Sequence, residues 1–116
     1  MKIKAIIISI KGHKLSSKER SLFKKEKPWG LILFKRNIRS LKQIKVLIKE
    51  IRKLTMNPKF PIMIDEEGFS VSRLSNIINH SFTQKLFGDI YDSSPRISLT
   101  IYKEYIKKLT LIFNKI

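Results

Sequence analysis

The stretch Phe60-Pro61-Ile62-Met63-Ile64-Asp65-Glu66-Glu67-Gly68 opens with a proline-entered apolar run and closes on three consecutive carboxylates. An apolar run this short reads as a strand, with Pro61 near its start, where a missing amide donor is tolerated. Upstream, Gly30-Leu31-Ile32-Leu33-Phe34 is continuous rather than alternating, as expected of a strand covered on both faces in a parallel sheet. Further back, Ile3 to Ile10 forms a first apolar run that predicts a buried strand, with Gly12 at its exit.

The segments between the runs read as helices. Ser16 and Glu19 stand at capping-box spacing, and Leu15, Leu22 and Phe23 supply an apolar side. Ser40 and Gln43 repeat that spacing ahead of Leu41, Ile44, Leu47, Ile48, Ile51 and Leu54, which recur along one helix face. Lys42, Lys45, Lys49, Arg52 and Lys53 fill the other faces and read as a solvated surface. Asn57 and Pro58 end the helix. Strand, helix, strand, helix, strand with short connections predicts parallel neighbours joined by right-handed crossovers, hence the α/β class. Ser70 to Asp92 reads as less regular. A last helix is expected from Ser94 as N-cap and Pro95 at its first position, with Ile97, Ile101, Tyr105, Leu109, Ile112 and Ile116 as its stripe.

Composition bounds the function. The chain has 116 residues, 25 Lys+Arg against 9 Asp+Glu, and no Cys, which excludes a disulfide framework and is too short for a closed eight-stranded barrel of about 250 residues. The net charge of +16 raises nucleic acid as a partner, but the lysines are dispersed among Ile and Asn rather than clustered. A small basic α/β nucleic-acid-binding module is the rival reading. Met1-Lys2-Ile3-Lys4 followed by an apolar run imitates a signal peptide, but the run is short and β-branched and no cleavage site follows, so a cytoplasmic chain without a membrane partner is expected.

In parallel α/β folds, loops at the carboxyl ends of strands line the ligand crevice, which singles out Asp65, Glu66 and Glu67. An extended chain there sends Asp65 and Glu67 to one side and Glu66 to the other. Two carboxylates fall short of the ligand set of a hard cation, so no metal is expected. Arg73, in the same connection, is placed to turn back toward the cluster and pair with a carboxylate or donate to a ligand. His13 and His80 read as turn or surface residues, and Trp29 as a packing residue at the lower rim of the sheet. The sequence contains no nucleophile elbow, phosphate loop or zinc spacing.

Two ordered motifs carry a resemblance. Gly30-Leu31-Ile32-Leu33-Phe34-Lys35-Arg36-Asn37, and after the amphipathic helix Ile64-Asp65-Glu66-Glu67-Gly68-Phe69-Ser70-Val71-Ser72-Arg73-Leu74, resemble the amino-terminal part of glycoside hydrolase family 3, above all its bacterial cytoplasmic β-N-acetylhexosaminidases of cell-wall recycling. Leu86-Phe87-Gly88-Asp89 and the helix from Pro95 are similar to the family's next segment. Glu66 stands where the family has Gln, Phe69 where it has its second Gly, and Ser70 where it has Arg.

The resemblance implies that residues 1–116 form one segment of a partial (β/α)8 barrel, with about three parallel strands, intervening helices and no closure. It implies that Asp65 and Arg73 bind a terminal N-acetylglucosamine of a saccharide and that no cofactor is used. It also implies retaining hydrolysis in the family by a later Asp nucleophile and a later His acid/base, with no catalytic residue in this chain. The isolated segment is then expected to be inactive and to self-associate or meet a complementing chain.

Overall fold

A computed structural model describes residues 2–78 and 81–116. Its elements are β1 (Lys4–Ile8), α1 (Ser17–Glu26), β2 (Pro28–Leu33), a 3-10 turn (Lys35–Asn37), α2 (Leu41–Thr55), β3 (Ile62–Ile64), β4 (Glu66–Gly68), β5 (Val71–Ser72), α3 (Gln84–Ser93) and α4 (Pro95–Phe113). The first three strands form one parallel sheet in the order β1-β2-β3, and β4 and β5 form a separate antiparallel hairpin. The α/β class and the unclosed set of three parallel strands are as expected.

Register explains which face is covered. Ile8 pairs with Leu31, and Leu31 and Leu33 pair with Ile62 and Ile64, so these residues share one face. On that face Leu31 and Leu33 are buried with Phe23 of α1 and Ile44, Leu47, Ile48 and Ile51 of α2. The opposite face carries Ile7, Gly30, Ile32 and Met63. Ile7 is 48% exposed, whereas Ile32 and Met63 are half-buried. The expectation of a buried strand therefore fails for β1, an outer strand of the sheet whose residues are mostly exposed. Gly30 suits the close approach of β3, because a Cβ there would lie 3.2 Å from the Pro61 carbonyl oxygen and 2.9 Å from the Met63 methyl, which would have to swing aside.

Both helices start at the predicted caps, with the full capping box at α1 and half of it at α2. The Ser16 hydroxyl accepts from the Glu19 amide, and the Glu19 carboxylate accepts from the Ser16 amide. At α2, Ser40 accepts from the Gln43 amide, but the Gln43 side chain reaches the Arg39 amide at 2.8 Å instead of that of Ser40. Both helices end in a left-handed residue, Lys27 and Met56, the usual way of turning a chain out of its last turn.

The stretch expected to be irregular contains α3, started by Thr83, whose hydroxyl accepts from the Leu86 amide. Ser94 precedes Pro95 as expected but makes no side-chain cap, since its backbone also ends α3. The expected α4 stripe holds toward its C-terminal half, where Tyr105 packs on Phe87, Leu109 is buried and Ile116 packs against the core, but Ile97 and Ile101 are exposed, and Ser98 and Tyr102 join Tyr105 on the side facing α3. The Ser98 hydroxyl donates to the Phe87 carbonyl at 2.7 Å, and Phe82, Phe87, Tyr102 and Tyr105 form a ring cluster with centroid separations of 4.8 to 6.3 Å.

Candidate functional site

The carboxyl ends of β1, β2 and β3 meet at one rim, and Asn37 fastens it. This fully buried amide donates to the carbonyls of Ile10 and Gly12, both at 3.0 Å, and its oxygen accepts the Phe34 amide at 2.9 Å. Both its amide hydrogens and its oxygen are engaged, which offsets the cost of burying so polar a group. Arg36 adds a second tie, its Nε donating to the Ile10 carbonyl and its Nη2 to the Ser9 hydroxyl. Gln43 donates from α2 to the His13 carbonyl at 2.8 Å. Sequence reasoning missed Asn37 and Gln43 as fasteners, although both stand in positions it had noted.

The three carboxylates divide as strand alternation predicts. Asp65 and Glu67 are exposed and Glu66 is half-buried. Glu66 Oε2 accepts from the amides of Arg73 and Leu74 at 2.8 and 2.9 Å, so it closes the β4–β5 hairpin and sends the chain back over the rim. The hairpin turns through Gly68 and Phe69, both at positive φ, 87° and 47°. The left-handed backbone is thus present although Phe occupies the second position.

That return brings Arg73 to Asp65, as expected. Arg73 Nη2 stands 3.8 Å from Asp65 Oδ2, with the two side chains 25% and 47% exposed. The separation is an ion pair but too long for a hydrogen bond, so both groups retain donors and acceptors for a ligand. The guanidinium carbons of Arg36 and Arg73 lie 4.6 and 5.6 Å from the Phe34 ring centroid.

His13 is exposed in the turn after β1; His80 lies outside the described residues. Among the described residues no three His, Cys, Asp or Glu side chains come together as a metal site, and no helix is long and apolar enough to cross a membrane. A concavity of about 1010 Å³ lies at the opposite ends of the strands, lined by Phe23, Pro28, Trp29, Met56 and Phe60 among others. Trp29 is 49% exposed there, a correction to its expected packing role. That groove is remote from the carboxylates, and the ends of α1 and α2 that border it are C-terminal, an unfavourable setting for an anion.

Parallel strands, helices over one face and a carboxylate–arginine pair at the strand exits make up an open parallel α/β unit with a polar rim. The chain is 34% identical over 99 residues to a beta-hexosaminidase of Mannheimia succiniciproducens, covering 85% of this chain and 28% of that protein. It is 36% identical over 85 residues to one of Haemophilus ducreyi, covering 73% and 24%. NagZ from Neisseria gonorrhoeae in complex with N-trifluoroacetyl-D-glucosamine superposes with a TM-score of 0.65 at 28% identity, over 78% of this chain and 27% of that one. A family 3 beta-N-acetylglucosaminidase from Paenibacillus gives a TM-score of 0.55 at 30% identity, over 60% and 14%. No family model matches the chain. The resemblance to the amino-terminal part of glycoside hydrolase family 3, of β-hexosaminidase type, is therefore shown in sequence and in structure. The chain spans about a quarter of the length of the curated relatives it matches.

Proposed function

We propose that residues 1–116 supply one wall of a sugar-binding site of the β-N-acetylhexosaminidase type. In this reading Asp65 accepts hydrogen bonds from hydroxyls of a terminal N-acetylglucosamine, since a carboxylate offers two oxygens to neighbouring hydroxyls. Arg73 donates to the same sugar. The observation that supports it is the Asp65–Arg73 pair itself, held at the exit of β3 with its groups in contact but not hydrogen-bonded to each other.

The hydrolytic steps belong, in the same reading, to groups the chain does not supply. A retaining mechanism needs a nucleophile that forms the glycosyl intermediate and a separate acid/base. Neither His13 nor Asp65 is proposed for either role. The whole enzyme would remove terminal β-N-acetylglucosamine from cell-wall saccharides in the cytoplasm, and this chain alone would bind without cleaving.

Saturation-transfer NMR with N-acetylglucosamine tests the binding. Transfer to the sugar protons is expected with the wild-type chain and is expected to be lost in Asp65→Ala, with no release from a chromogenic β-N-acetylglucosaminide by either. Equal transfer in both proteins would overturn the role of Asp65, and release by the wild-type chain would overturn the division of labour.

A further inference from the structure

Arg73 is held in place at the rim with few hydrogen bonds of its own. Its Nε is buried and has no hydrogen-bond partner among the described residues, and its Nη2 meets Asp65 at ion-pair distance. Its backbone is fixed by Glu66, but that contact leaves the side-chain torsions free. A further contact is with Phe34, whose ring centroid lies 5.6 Å from the guanidinium carbon. Phe34 is itself pinned: its amide is bonded to Asn37 and its ring carries the Arg36 guanidinium at 4.6 Å.

We infer that Phe34 is a positioning residue of this site, its ring face setting where the Arg73 guanidinium stands opposite Asp65. A cation within about 6 Å of an aromatic centroid is drawn to the ring's negative face, and a planar guanidinium stacks there while leaving its edge donors free. A hydrogen-bonding partner in the same place would consume the donors that a ligand needs. Arg36 occupies the same ring and is tied by its own edge to Ser9 and Ile10, so the ring couples the ends of β1 and β2 to the hairpin after β3. The effect of Phe34 on sugar binding rests on the function proposed above; its effect on Arg73 does not.

Two readouts on the full chain separate these. The first is the NMR resonance of the Arg73 side-chain Nε–H, which a nearby ring displaces, measured in wild type, Phe34→Tyr and Phe34→Leu without sugar. The displacement is expected to persist in Phe34→Tyr and to vanish in Phe34→Leu; an unchanged resonance in Phe34→Leu overturns the inference whatever the sugar does. The second is the dissociation constant for N-acetylglucosamine, expected to rise about threefold in Phe34→Leu and to change less than about twofold in Phe34→Tyr, in line with an exposed cation–ring contact. Equal weakening by both variants would also overturn it. Pentafluorophenylalanine at position 34 keeps the shape and inverts the ring's charge distribution, so a folded protein is available even if Phe34→Leu does not fold, and the same loss is expected from it. A displaced Nε–H resonance in a wild-type protein that binds no sugar supports the placement of Arg73 and refutes the proposed function alone.

Discussion

Phe69 shows how a single position can keep a backbone while changing its cost. Its φ of 47° lies where a side chain crowds the following carbonyl, at about 1–2 kcal/mol for a non-glycine residue. Its ring is 72% exposed, so little burial offsets that cost. Phe69→Gly would relieve the strain but add roughly 0.5–1 kcal/mol of unfolded-state entropy. A net stabilisation of about 0.5 kcal/mol is expected, read as a higher thermal midpoint; a lower midpoint would show that the ring makes a compensating contact. The residue scale is also where the sequence was least legible. Asp65 and Arg73 announced themselves by charge in an apolar context, and their pairing followed from one short connection. Asn37 gave no such signal, because a buried amide is recognisable only once the carbonyls it serves are brought together from Ile10 and Gly12.

At the scale of elements, local rules served best where the stabilising partner is close in sequence. The capping box of α1 is an example, and it carries a pH dependence. Burial of the Glu19 carboxyl pushes its pKa up, but hydrogen bonds from the Lys11 and Ser16 amides and the Ser16 hydroxyl outweigh this and hold it below the ordinary value of 4.5. A carboxylate with a depressed native pKa contributes stability that is present above about pH 4.5 and is lost as pH falls through the folded value. The thermal midpoint of the wild-type chain is therefore expected to fall more steeply from pH 5 to pH 3 (roughly the range over which carboxylates titrate) than that of Glu19→Gln. Parallel slopes would show that the box does not titrate with folding. The helix α3 was missed for a different reason. Gly88 interrupts its apolar pattern and the element is short, so its signal rested on Thr83 and on rings that only α4 brings together. Apolar composition likewise predicted burial for β1, but composition cannot say whether a neighbour exists to cover it.

Across the whole molecule, the parallel sheet has two outer strands, and the face carrying Ile7 is partly bare. Unpaired strand edges and exposed apolar side chains favour association, whereas a net charge of +16 opposes it through repulsion that salt screens. Larger species are therefore expected in sedimentation experiments as ionic strength rises from about 0.05 to 0.5 M, over which the screening length shortens severalfold. A monomer throughout that range would show that the edges are protected. The order of the strands was legible because chain direction and short connections leave few alternatives. The placement of the last two helices was not, since a crossover is fixed by the strand on its far side and none comes after α4 among the described residues.

The division of the aromatic residues has a practical outcome. All three tyrosines, Tyr91, Tyr102 and Tyr105, belong to α3 and α4, while the lone tryptophan, Trp29, sits in β2. The two halves of the molecule are thus labelled by nature with different chromophores, indole emission following the strands and phenol absorbance following the terminal pair of helices, so whether they melt as one unit or in succession is written into two wavelengths of a single heating curve.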